Sequence, residues 1–96
     1  MYELRYSSAA QKYFKKIKEK GLQKAFEHAL DSIAENPYIG TAKVGDLASL
    51  YGYDVFYNKT NYEIAYRIYE EDGQIVVVVL AGTRENFYQE LKRYMK

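Results

Sequence analysis

Tyr62-Glu63-Ile64-Ala65-Tyr66-Arg67-Ile68-Tyr69, then Glu70-Glu71-Asp72-Gly73, then Gln74-Ile75-Val76-Val77-Val78-Val79-Leu80-Ala81 is the stretch that decides the fold. Two runs rich in Tyr, Val and Ile flank a turn that closes on Asp-Gly, the pattern of an antiparallel hairpin. Leu50 to Tyr57 has the same composition, and Asn58-Lys59-Thr60-Asn61 is a short polar link to the hairpin. The three runs therefore read as an antiparallel meander. At the N-terminal end, Tyr2 to Tyr6 alternates apolar and charged residues, which predicts one more strand. That strand must join the meander to cover an edge.

Between the first strand and the meander the period changes from two to about 3.6. Ser7 or Ser8 offers an N-cap. Ala10, Tyr13, Phe14 and Ile17 then recur at helical spacing over Ala9 to Lys20, and Gly21 reads as a stop. A second helix is predicted over Leu22 to Glu35, with Leu22, Ala25, Phe26, Ala29, Leu30 and Ile33 on one face. Asn36-Pro37 ends it, because the residue before proline is pushed out of the helical region. Tyr38 to Ser49 shows no period and reads as an irregular loop. Arg84 to Met95 reads as a last helix with the apolar stripe Phe87, Leu91, Tyr94 and Met95. The expected architecture is α+β: a small antiparallel sheet in the order β-α-α-β-β-β-α, as a single domain over residues 1–96. The helical hairpin should cover one face and the C-terminal helix the other face or an edge.

Composition narrows the function classes. The chain has 96 residues and no Cys, so disulfides and thiolate metal sites are excluded. Fourteen Lys+Arg against 13 Asp+Glu give a net charge of +1, unlike a strongly basic nucleic-acid binder. Any nucleic-acid contact must come from a local patch. One exists: Lys12, Lys15, Lys16, Lys18, Lys20 and Lys24 stand against Glu19 alone. It reads as a solvated face, with an electrostatic patch facing RNA as the rival reading. His28 is the one imidazole, so no metal and no cofactor is expected. The longest apolar run, Ile75 to Ala81, falls far short of the roughly 20 residues of a membrane span. Met1 to Tyr6 lacks the apolar run of a signal peptide. The expected location is the cytoplasm, with no membrane partner. Twelve tyrosines suit a small core that opens onto a wet cleft.

Leu50-Tyr51-Gly52-Tyr53, Tyr62-Glu63-Ile64-Ala65-Tyr66-Arg67-Ile68 and Gly82-Thr83-Arg84-Glu85-Asn86-Phe87-Tyr88, in this order, resemble the RelE/ParE family of bacterial type II toxins. The resemblance covers nearly the whole chain and implies one of two activities. RelE-like members cleave mRNA in the ribosomal A site without a metal, by attack of the ribose 2′-hydroxyl on the phosphate. ParE-like members inhibit DNA gyrase; the expected activity of this chain is the first, a ribosome-dependent mRNA endonuclease, with gyrase inhibition as the alternative. A third outcome is a silent member that only binds an antitoxin. In each case a cognate antitoxin is the implied partner, with ribosome and mRNA, or gyrase, as the target.

The resemblance also implies site residues. Arg84 matches the family arginine after the last strand, as phosphate and transition-state stabiliser. Tyr88 matches the tyrosine near the start of the last helix, as a proton-transfer or base-stacking group. Arg67 is the candidate second anchor. Lys43, Lys59, Lys92 and Arg93 are candidate RNA contacts, and Phe87, Leu91, Tyr94 and Met95 a candidate antitoxin surface. Two features depart from the RelE pattern. Gly52 and Asp54 stand where it has lysines, and Glu63 where it has an arginine. At an effective dielectric of about 20, a unit charge ~6 Å from a phosphate contributes roughly 3 kcal/mol. Reversing one such charge shifts that contribution by up to ~6 kcal/mol before screening.

Overall fold

The structure, a computed structural model, describes residues 1–95. In chain order it has β1 (Glu3–Tyr6), α1 (Ser8–Lys16), α2 (Lys20–Glu35), β2 (Thr41–Ala42), β3 (Tyr51–Tyr57), β4 (Thr60–Tyr69), β5 (Ile75–Thr83) and α3 (Phe87–Tyr94). Single 3₁₀ turns lie at Pro37–Ile39 and Gly45–Leu47. The five strands form one sheet in the order β1-β5-β4-β3-β2. The expected meander is its centre. The sheet is mixed and not purely antiparallel, because β1 runs parallel to β5, with Glu3 opposite Ile75 and Tyr6 opposite Val78.

Local chemistry accounts for the helix ends. The Ser7 hydroxyl accepts a hydrogen bond from the Ala10 amide at 3.0 Å and so caps α1. The same hydroxyl donates to the Val79 carbonyl at 2.6 Å, which ties the start of α1 to β5. Helix α1 ends at Lys16, earlier than the periodicity suggests, because Ile17 turns extended (φ −72°, ψ 119°). Gly21 does not stop α1. It sits in the first turn of α2, where a Cβ would overlap the Tyr57 hydroxyl. At the other end of α2, the Asn36 side chain accepts from the Tyr38 amide at 3.2 Å and starts the 3₁₀ turn at Pro37.

Each face of the sheet carries its own apolar cluster, and β4 shows why. Ile64 and Tyr66 point one way and meet Ala10, Phe26, Ala29 and Ile33 of the helical pair. Ala65 points the other way and meets Leu47, Leu50, Phe87 and Leu91. Phe26 sits edge-on to Tyr13, Phe14 and Tyr62, at ring separations of 6.0, 5.4 and 5.5 Å. Burying a side chain such as Ile33 or Leu91 contributes about 1.5–3 kcal/mol. A register shift against Ala65/Tyr66 leaves Val79 as an extra residue in β5. Val79 and Leu80 thereby both serve the α3 side, while Val78 and Ala81 serve the other. Helix α3 thus covers the face opposite the helical pair, held by Phe87 and Leu91. Among the described residues, no helix is long and apolar enough to cross a membrane.

Candidate functional site

A cleft of about 590 Å³ opens between β2, β3 and the start of α3. Its floor follows from strand register. The β3–β4 turn has only two central residues, Asn58 and Lys59, both at positive φ (49° and 65°). That tight turn sets Asp54 directly opposite Glu63. Like charges facing each other across two strands destabilise a sheet. Here each carboxylate finds a cation. Lys43 Nζ lies 2.7 Å from Glu63 Oε2, and the Glu63 side chain is only 7% exposed. Arg84 Nη1 reaches both oxygens of Asp54, at 2.9 and 3.0 Å. Arg84 Nε stands 3.9 Å from Glu63 Oε1, so Glu63 lies between the two cations.

The backbone positions both partners. Lys43 follows β2, which pairs with β3 through Thr41–Gly52 and Ala42–Tyr51, and its amide donates to the Leu50 carbonyl at 2.9 Å. Gly52 leaves the space this crossing requires. A Cβ there would overlap Glu63 Oε2 and stand 3.1 Å from both Cε and Nζ of Lys43. Arg84 is not in the last helix, contrary to the sequence expectation. It follows β5, its amide donates to the Asn61 carbonyl at 2.8 Å, and α3 starts only at Phe87. Asn86, at φ 64°, makes the bend between them. Asn tolerates this left-handed conformation better than most residues.

Behind the cleft, Tyr66 donates its hydroxyl to the Pro37 carbonyl at 2.6 Å. Its ring stacks on Tyr51 at 5.8 Å. Burial pushes the Tyr66 phenol up to about 12, against a smaller downward pull from the Gly40 backbone. This bond anchors the segment Pro37 to Val44, which forms one wall of the cleft. The rim is apolar and open: Ile39 is 50%, Val44 79% and Tyr88 50% exposed.

The other sequence candidates scatter. Arg84, Tyr88 and Lys43 share the cleft. Arg67 does not line it. Arg67 stands opposite Val77 of β5, with its Nε buried and without a hydrogen-bond partner. Lys59 sits at the tip of the β3–β4 turn and Arg93 in the last turn of α3, both outside the cleft lining. Lys92 places its ammonium 4.9 Å from the Tyr88 ring centre and 3.4 Å from Asp46. Phe87 and Leu91 are buried, Met95 packs against them, and Tyr94 is largely exposed. His28 lines a separate hollow with Ser32 and Asp54. Among the described residues, no three His, Asp or Glu side chains gather where a metal ion could sit. The sequence reading missed the Lys43–Glu63 contact and the part played by β2, because two strand residues inside an aperiodic loop leave no pattern.

This fold is that of small bacterial toxins. It superposes on the isolated RelE toxin of E. coli over 100% of both chains, with a TM-score of 0.69 at 20% identity. The intact RelBE toxin–antitoxin complex of E. coli matches 85% of this chain and 95% of that one, with a TM-score of 0.68 at 21% identity. The RelBE2 toxin–antitoxin complex of Mycobacterium tuberculosis matches 86% of this chain and 98% of that one, with a TM-score of 0.66 at 23% identity. Comparison with curated protein sequences finds no match. Residues 4–92 match the family described as ParE-like toxin of type II bacterial toxin–antitoxin system, and the chain belongs to that family.

Proposed function

We propose that this toxin acts by binding a protein target and not by cleaving RNA. One observation carries the reading: both cleft cations are already matched by carboxylates. Lys43 and Arg84 against Asp54 and Glu63 sum to zero formal charge. Phosphodiester cleavage builds negative charge on the phosphorane oxygens and needs fixed donors with an unspent field. Moving Arg84 away from Asp54 costs little, because the pair is exposed. Yet Asp54 and Glu63 then remain beside any incoming phosphate. The exposed apolar rim of Ile39, Val44 and Tyr88 around a charge-balanced floor suits a protein surface better than a polyanion. Of the targets implied by the family resemblance, DNA gyrase fits this mode. Of the stripe expected to face the cognate antitoxin, Phe87 and Leu91 are buried in the sheet-facing core and Met95 packs on them, so only Tyr94 is open to that partner.

Two assays run side by side test the proposal. Gyrase supercoiling should be inhibited at micromolar protein. Toeprinting of translating ribosomes should show no new cut at the A site. Ribosome-dependent cleavage overturns the reading, and undisturbed supercoiling removes gyrase as the target.

A further inference from the structure

The charge missing from the cleft stands elsewhere. Six of the 14 basic residues and one of the 13 acidic ones lie between Lys12 and Lys24. That segment therefore carries +5, and the remaining eight basic and twelve acidic residues carry −4. Lys12, Lys15, Lys16, Lys18, Lys20 and Lys24 are all exposed. None of them pairs with a carboxylate among the described residues. The one acid of the segment, Glu19, accepts a hydrogen bond from the Tyr57 hydroxyl at 2.8 Å and is turned to the fold. Lys12, Lys15 and Lys16 recur three and four residues apart, so they share one face of α1. The opposite face, Ala10, Tyr13 and Phe14, is committed to the core.

We infer that the Lys12–Lys24 segment, α1 and the first turns of α2, is a docking ridge for the phosphate backbone of a nucleic-acid duplex. Three chemical arguments select this partner. A polyanion is the complement of a segment carrying +5 on a chain that is otherwise net acidic, with Glu27 of α2 the acid that shares a hollow with Lys15. An anionic membrane would need apolar side chains exposed among the lysines. Tyr13, Phe14 and Ile17, the large apolar residues among the lysines, are half-buried and packed against the core, so none projects from the ridge to enter a bilayer. A single strand would need exposed aromatic rings for its bases to stack on, and these are absent for the same reason. What remains is contact to phosphates that reads no sequence. The ridge is separate from the cleft, so this inference stands or falls independently of the target proposed above.

The test is fluorescence anisotropy of the full chain with a labelled DNA duplex and a labelled RNA duplex over a salt series. Vesicles of phosphatidylcholine with phosphatidylserine form a parallel arm. Binding should fall steeply with salt, by about 0.9 in the log–log slope for each lysine that meets a DNA phosphate. The double substitution Lys15→Gln and Lys16→Gln should reduce that slope by about 2 and weaken low-salt binding on the order of tenfold or more. Both side chains are exposed, and circular dichroism verifies that the variant is folded. Arg5→Gln, at an exposed cation already paired with Glu3, should leave binding unchanged. Binding to either duplex with this response carries the proposal, and the stronger arm names the nucleic acid. Three results overturn it: no duplex binding at about 50 mM salt, where such contacts are strong; a slope that ignores the double substitution; or binding to the vesicles alone.

Discussion

Between β3 and α3, four charged side chains meet as two opposite-sign pairs, Lys43 with Glu63 and Arg84 with Asp54. Along α1 and the start of α2, six lysines stand with no partner among the described residues. The cleft lysine and arginine solve a structural problem, the like-charge contact of Asp54 and Glu63 that the register of β3 and β4 imposes. The ridge lysines solve none. They are available to an outside anion, and they repel one another until one arrives. A count of cations is thus a poor guide to where a protein grips polyanions. What matters is which cations the fold has left unspent.

The comparison breaks most readily at Lys43. Its partner Glu63 is almost fully buried, and an uncompensated buried charge is costly. Lys43→Met should lower stability by about 3 kcal/mol, the lower end of the usual range for a broken buried pair. The lower end applies because Arg84 Nε remains 3.9 Å from Glu63. Adding Glu63→Leu should recover most of the loss. Urea denaturation of the single and double variants measures both steps. A loss below about 1 kcal/mol from Lys43→Met would show that the pair is solvent-screened like a surface pair, and the contrast with the ridge would shrink.

A smaller effect is expected at Tyr66, which holds the cleft wall from behind. Tyr66→Phe leaves the buried Pro37 carbonyl without its donor and should cost about 1 kcal/mol at neutral pH. The pH dependence has a definite sign. The folded-state phenol lies at about 12, above its ordinary value of 10.0, so the folded protein holds the proton more tightly than the unfolded chain. This contribution is fully present below pH 10.0 and is lost as the pH rises towards about 12. Denaturation over that window should show a fall in stability for the parent chain that Tyr66→Phe reduces, the remainder coming from Tyr2, Tyr6, Tyr13, Tyr38 and Tyr57, whose phenols are raised as well. An unchanged alkaline slope in the variant would move the titration to another group.

The sequence made the periodic parts of this molecule legible and left the site half hidden. Alternation along β4 and the apolar spacing of α1 and α2 suffice to place the sheet, the helical pair and α3 on its far side. The site depended on one turn. Read as four residues, Asn58 to Asn61 sets Tyr57 opposite Tyr62 and Asp54 opposite Ala65, two residues out of the observed register with Glu63. The actual two-residue turn needs positive φ at Lys59, which a lysine side chain disfavours, so the propensity of that residue argued for the wrong length. The two acids were recognised as departures from the family pattern on adjacent strands, but the cation that each would meet was not. Lys43 was assigned to RNA on the family resemblance, and β2, which sets it beside Glu63, is too short to show a period. Arg84 and Tyr88 do meet at one cleft, whereas Arg67, placed on the same strand face as Glu63, is too far along β4 to line it.

The smallest expected effect lies on the ridge itself and has the opposite sign to the first. Lys12 has like charges three and four residues ahead of it, at Lys15 and Lys16, and such pairs on a helix surface destabilise it by a few tenths of a kcal/mol each. Lys12→Gln removes two of these contacts and no partner. Stability should rise by about 0.3–0.5 kcal/mol at low salt. The gain should fade as salt approaches about 1 M, where screening acts over roughly 3 Å. Thermal melting at two salt concentrations resolves this. A Lys12 variant that is less stable than the parent at low salt would mean that the lysine already has a favourable intramolecular contact. The ridge would then resemble the cleft, with its charge spent within the fold and none left over for a duplex.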